Sequence, residues 1–210
     1  MNASHIALVT CYVVVSYVVG CISTGYYVTK ERIGQDIRDF GSGNAGAQNV
    51  GKVLGWQWFV IILLLDMLKG CVVVLAGVRL EVGDVVVTLA IVAVVSGHIW
   101  PAQMGFRGGM GIATSLGAVL AFHWLVMASI VGIFAVTYFP QVWMGRIVAR
   151  KAAARSAVAA INLTALSMVL LKQPLMSWLS LIILGCVHYA AYRSRLARGW
   201  PRPTRDGAAA

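Results

Sequence analysis

Val53-Leu-Gly-Trp-Gln-Trp-Phe-Val-Ile-Ile-Leu-Leu-Leu-Asp66-Met-Leu-Lys69-Gly-Cys-Val-Val-Val-Leu-Ala-Gly77 carries only two charged side chains, Asp66 and Lys69. About 20 predominantly apolar residues suffice for a helix to cross the hydrocarbon core of a bilayer. The stretch therefore reads as a membrane helix, and the rest of the chain agrees. Its 210 residues are 60% hydrophobic and 11% charged, with a mean hydropathy of +0.81. A soluble domain carries about 25% charged residues, so that class is excluded. The net charge of +10 does not call for nucleic acid. Cytoplasmic loops of membrane proteins collect Lys and Arg, and anionic headgroups attract them. The expected partner is the lipid bilayer, with no nucleic acid.

Outward from this run, six more apolar segments lie near 6–28, 85–104, 111–122, 124–143, 156–171 and 174–192. The expectation is an all-α integral membrane protein with about seven transmembrane helices. The segment 111–122 is too short to cross alone. It reads either as a half-helix or as continuous with part of the next run. An interrupted helix at membrane depth must be buried in protein or line a polar cavity. No Lys or Arg precedes the first run, so it reads as a retained helix rather than a signal peptide. Residues 1–198 read as one transmembrane domain, and 199–210 as a disordered cytoplasmic tail.

Charge sets the orientation. With the C-terminus inside, fourteen of the seventeen Lys and Arg residues fall on the cytoplasmic side. Arg79 and Lys172 fall outside, and Lys69 lies within a span. This asymmetry predicts a multi-pass protein with its N-terminus outside. The four cysteines sit in apolar runs without metal-ligand spacing, and read as packing residues. Ser16, Gly20 and Thr24 share one helix face and suit close helix contact.

Two short glycine-rich loops interrupt the apolar pattern, both on the cytoplasmic side. The first is Gly41-Ser-Gly-Asn-Ala-Gly-Ala-Gln-Asn49. Its glycines, Gly41, Gly43 and Gly46, let the backbone approach a ligand and aim N–H groups at an anion. Ser42, Asn44 and Asn49 add compact polar groups, and Lys52 adds positive charge. The plainer reading is a flexible turn. The second loop is Phe106-Arg-Gly-Gly-Met-Gly-Ile-Ala-Thr114. It sets Arg107, Gly108, Gly109 and Gly111 before a helix whose first N–H groups favour an anion, with Thr114 able to add a hydroxyl. A tight re-entrant turn is the plainer alternative.

Asp66 and Lys69, three residues apart, can meet on one helix face. Ionisable groups at membrane depth are costly and usually paired. They read either as a structural salt bridge or as support for a site. His98 stands near the cytoplasmic end of its helix, as a general base or as a buried histidine that orients the adjoining loop. No metal and no cofactor is implied.

These motifs, with Asp66-Met-Leu-Lys69-Gly70 and Gly97-His98-Ile-Trp-Pro101, resemble in order and spacing the PlsY-type acyl-phosphate:glycerol-3-phosphate acyltransferases of bacteria. The resemblance implies a membrane acyltransferase of phospholipid or glycolipid synthesis. That family moves a fatty acyl group from acyl phosphate to the 1-hydroxyl of glycerol 3-phosphate and releases lysophosphatidic acid. By resemblance, Ser42 and His98 are the catalytic candidates. Gly41, Gly43, Asn44, Asn49, Lys52, Gly108, Gly109, Gly111 and Thr114 are the substrate contacts. Asp66, Lys69, Arg107 and His188 are supporting residues. The family pattern in the first loop runs G-S-G-N-P-G-A-T-N-V-x-R. Here Ala45 replaces Pro, Gln48 replaces Thr and Lys52 replaces Arg, which keeps the charge but loses bidentate geometry. The family's second loop reads G-G-K-G, and Met110 occupies the lysine position. The last family motif, H-R-x-N-I-x-R-L followed by G-x-E, aligns on Arg195-Leu196. That alignment sets Tyr192 at the Asn and Tyr189 at the His, His188 fits only with a one-residue slip, and no Glu follows. These departures suggest an acyltransferase with a changed acceptor or donor. The alternative is a catalytically inactive relative kept as a binding or assembly partner of another membrane protein. A small transporter fits less well, because both glycine loops lie on one side.

Overall fold

The computed structural model describes residues 2–143, 175–197 and 199. Eight α-helices are present among them: α1 (Ala3–Cys21), α2 (Thr24–Ile33), α3 (Ala47–Leu54), α4 (Trp56–Arg79), α5 (Asp84–Ile99), α6 (Ile112–Phe122), α7 (Trp124–Trp143) and α8 (Leu175–Leu196). The described residues contain no strand. Among the described residues three stretches are long and apolar enough to cross a membrane: Ala3–Ile33, Trp56–Arg79 and Asp84–Met104. The expected span at 156–171, the basic segment around Arg150 and the tail from 200 onward lie outside the described residues.

The expected first helix is not continuous. Ile22 leaves helical geometry, and α2 begins after Ser23. The freed carbonyls at the break are satisfied by remote side chains, Gln103 Nε2 donating to Cys21 O and Lys69 Nζ to Ile22 O at 3.0 Å. Backbone polar groups inside a bilayer must find such partners. A second break, at Gly55 with φ +101°, separates α3 from α4. The α6 half-helix ends at His123, where a bend leads into α7. Its 11 residues span about 16 Å at the α-helical rise, about half the hydrocarbon core.

The core sits where α4, α5 and α6 meet α1 and α8, around Val74, Ile91, Val94, Val95 and Ala118. Small residues set the crossings, as expected between membrane helices. A Cβ on Gly20 would strike Val94 O, and one on Gly97 would strike Tyr17 O, so α1 and α5 touch backbone to backbone. Ser16 is buried on the same face. Thr24, expected to share that packing, lies beyond the break and donates instead to Asp66 Oδ1 at 2.7 Å. Gly70 and Gly117 bring α4 and α6 equally close. All four cysteines are free thiols.

Candidate active site

The first glycine loop is built around Asn49, which is buried in the first turns of α3. Its Oδ1 accepts from the Ser42 amide at 3.0 Å. Its Nδ2 donates to Ile37 O at 3.0 Å and Phe40 O at 2.9 Å. Asn49 thus ties the loop together, and its amide faces inward rather than toward a ligand. At the loop entrance, Asp36 accepts from Arg38 at 2.6 Å. Burial by itself would raise the Asp36 carboxyl, but the hydrogen bonds and charge of Arg38 outweigh it and hold the group below the ordinary carboxylate value. Arg38 Nη1 also donates to Met104 O at 2.9 Å and Arg107 O at 3.2 Å, joining the first loop to the second.

The second loop folds back onto the end of α5. Gly108 N donates to Ile99 O at 3.0 Å and Gly109 N to His98 O at 2.9 Å. A Cβ on Gly109 would land on His98 Nε2, so only glycine allows this approach. The expectation that the amides of Gly108 and Gly109 face an anion is corrected, since both are engaged by α5 carbonyls. The open donors are one turn further on. Gly111 takes φ +82° and starts α6, whose first N–H groups have no intrahelical acceptor.

Arg195, in the last turn of α8, closes the arrangement. Its Nη2 donates to Gly108 O at 2.8 Å and Gly109 O at 2.7 Å, and lies 3.4 Å from Asn44 Oδ1. One buried guanidinium therefore bridges both loops. In the sequence Arg195 stands out only as the anchor of the last motif. Its signal was an Arg on the helix that also carries His188.

Beneath the loops lies a polar network at membrane depth. Lys69 Nζ is 2.9 Å from Asp66 Oδ1, 2.6 Å from His98 Nδ1 and 3.0 Å from Ile22 O. Asp66, Lys69 and His98 are all buried.

Between the loops opens a cleft of about 180 Å³. Its lining carries the polar side chains of Asn44, Gln48, Asp66 and His98 and the apolar ones of Phe59 and Leu63 of α4 with Ile112 and Leu116 of α6. Met110 and Gly111 line it as well. The cleft thus gathers Asn44, His98, Asp66 and Gly111 from the expected set. Gln48 and the apolar lining were not foreseen, because their convergence depends on how α3, α4 and α6 cross. Ser42, Gly41 and Gly43 belong to the turn behind it. Lys52 is exposed in the last turn of α3, on a separate short helix rather than at the head of α4, and does not line the cleft. Thr114 Oγ1 is buried without a hydrogen-bond partner, on the stretch of α6 that meets Gly70 of α4. Arg107 is exposed at the loop edge. His188 Nδ1 donates to Leu184 O at 2.7 Å, and its Nε2 lies 3.4 Å from Ser115 Oγ, tying α8 to α6. Among the described residues no cluster of His, Cys, Asp or Glu is placed to hold a metal ion.

An integral membrane helix bundle with a cleft lined by both polar and apolar side chains suits an amphiphilic ligand. The chain belongs to the glycerol-3-phosphate acyltransferase family, whose model matches residues 10–200. It is 44% identical over 127 residues to glycerol-3-phosphate acyltransferase 1 of Bacillus cereus, covering 60% of this chain and 70% of that one. It is 42% identical over 136 residues to the glycerol-3-phosphate acyltransferase of Thermoanaerobacter pseudethanolicus, covering 64% and 68%. Two solved structures share the fold. The glycerol 3-phosphate form of PlsY, an integral membrane glycerol 3-phosphate acyltransferase, superposes with a TM-score of 0.69 at 28% identity, covering 92% of this chain and 94% of that one. The lysophosphatidic acid form of the same enzyme gives 0.67 at 27% identity.

Proposed function

We propose that this protein transfers a fatty acyl group from acyl phosphate to the 1-hydroxyl of glycerol 3-phosphate, or of a less anionic polyol, at the cytoplasmic face of a bacterial plasma membrane. The observation that carries this reading is the mixed polar and apolar lining of the cleft. Phe59, Leu63, Ile112 and Leu116 suit an acyl chain, while Asn44, Gln48, His98 and the open amides of α6 suit a phosphate and an attacking hydroxyl. In the transfer, the acceptor oxygen bonds the acyl carbon and the bond from that carbon to the phosphate oxygen breaks. Phosphate departs, and the hydroxyl proton passes to His98 or to an oxygen of that phosphate. Met110 on the cleft wall supports the less anionic acceptor, because a thioether offers no charge to a phosphate.

The test is purified protein in lipid, given acyl phosphate with glycerol 3-phosphate, other polyol phosphates or glycolipids, with products read by mass spectrometry. Acylated product is expected, and Asn44→Ala is expected to cost about 1–3 kcal/mol of transition-state stabilisation with little change in thermal stability. Met110→Lys should tighten acyl-phosphate binding beside the α6 N-terminus. It should also lower turnover on a less anionic acceptor. Native protein and Met110→Lys both inert on every acceptor would overturn the reading in favour of a binding partner.

A further inference from the structure

His98 lines the cleft and meets Lys69 through Nδ1. Lys69 Nζ has three neighbours within hydrogen-bond distance: Ile22 O, Asp66 Oδ1 and His98 Nδ1. An ammonium has three N–H donors and no acceptor. The first two neighbours are oxygens that can only accept. Asp66 Oδ1 also accepts from Thr24 Oγ1 at 2.7 Å. A carboxylate beside an ammonium leaves the buried cluster neutral, whereas a carboxylate beside a neutral amine would leave an unpaired charge at membrane depth. Lys69 is therefore the donor in all three contacts, and His98 Nδ1 must accept. Asp66 Oδ1 lies 3.7 Å from Nδ1, too far for a hydrogen bond that would draw a proton there.

A neutral imidazole that accepts at Nδ1 carries its proton at Nε2. That nitrogen faces Gly109, where any Cβ would collide with it. Nε2 has no hydrogen-bond partner among the described residues, although His98 is buried and lines the cleft. The Nε2–H therefore has no protein acceptor and is left for a ligand or water in the cleft. His188 contrasts with it in the same molecule. There Nδ1–H donates to the backbone carbonyl of Leu184, and Nε2 is left to accept from Ser115 Oγ.

We infer that Lys69, held by Asp66, is a positioning residue that locks His98 in the Nε2–H tautomer, so that His98 meets an anionic oxygen in the cleft as a hydrogen-bond donor and accepts no proton from the acceptor hydroxyl. The role as donor rests on the cleft being the acyl-transfer site proposed above, whereas the tautomer does not depend on it. The hydroxyl proton then leaves on the departing phosphate, and the Nε2–H steadies the oxygen on which negative charge develops.

The tautomer is read directly by nitrogen NMR of the full chain in lipid nanodiscs, labelled at histidine and assigned by loss of the signal in His98→Asn. The expected spectrum has an unprotonated Nδ1 and a protonated Nε2 for His98, with the reverse for His188. A protonated Nδ1 at His98 would overturn the inference, whatever the protein does with substrate. Lys69→Met strands Asp66, so it is combined with Asp66→Asn. The double variant should give a mixture of His98 tautomers, and an unchanged pure Nε2–H form would show that Lys69 does not set it. If the double variant fails to fold, the native spectrum still decides. For the donor role, acyl phosphate should move the Nε2 signal of native protein. In turnover, His98→Ala should fall about 10²–10³-fold, and His98→Gln, which restores an N–H near Nε2, should recover about tenfold of that loss. Equal loss in both variants of a protein that transfers acyl groups would overturn the donor role. Absence of transfer by native protein would count against the proposed function and leave the tautomer result standing.

Discussion

Two aspartates in this protein each hold a basic side chain a few residues along, one pair partly exposed and the other buried. Asp36 and Arg38 sit in the first loop with 22% and 17% of their side-chain surface exposed. Asp66 and Lys69 sit inside α4 with 1% and 8% exposed. The surface pair competes with water and gains little. Arg38 matters more for where its remaining N–H groups go, to Met104 O and Arg107 O of the other loop. The buried pair has no water to fall back on. Either member alone would be an unpaired charge, so each is held by the other and by the hydrogen bonds around it. A pair of the same chemistry thus orients a loop edge in one place and fixes a core in the other.

Breaking the buried pair should have the largest effect. Asp66→Ala strands Lys69 beside His98 and is expected to cost about 3–5 kcal/mol of stability. Denaturation of the purified protein in detergent reads it, and a loss no larger than that of Asp36→Ala would dissolve the contrast. Arg195 comes next, because it serves both loops from the buried side as Arg38 does from the exposed side. Arg195→Ala leaves two buried carbonyls, Gly108 O and Gly109 O, without their donor, at a cost of about 1–3 kcal/mol. Arg195→Lys should recover only part, since an ammonium lacks the planar fork. Thermal unfolding of the three proteins checks this order.

The surface pair should give the smallest effect, and one that depends on pH. Asp36 has a folded-state value below its unfolded one. Its contribution is therefore present above the unfolded carboxylate value of about 3.9 and is lost as pH falls through the lower folded value. The whole effect should stay within about 1 kcal/mol. Melting temperatures of the native protein and Asp36→Asn should differ slightly at neutral pH and converge in acid. A difference that grows as pH falls would reverse the sign argued for Arg38.

Membrane character was legible in the residues alone, because hydrophobicity is a property of composition that no crossing angle can change. The two glycine loops stood out for a related reason, being polar and small where their neighbours are large and apolar. The Asp66–Lys69 contact followed from helical geometry, which brings residues three apart onto one face. The break between α1 and α2 was not legible. No proline marks it, the short Ser23-Thr24-Gly25 cluster also suits a packed helix face, and the carbonyls freed there are satisfied by Gln103 and Lys69 from distant parts of the chain. Asn49 looked like a ligand contact and proved to be the tie of its own loop, since a side chain's type does not say which way the backbone turns it. Arg195 marked only the end of a motif in the sequence and became the bridge between the loops once α8 packed against α5. The tautomer of His98 belongs to the tertiary structure for the same reason. It depends on the position of Lys69 Nζ, which is set by the crossing of α4 over α5 and by the carbonyl left open at Ile22.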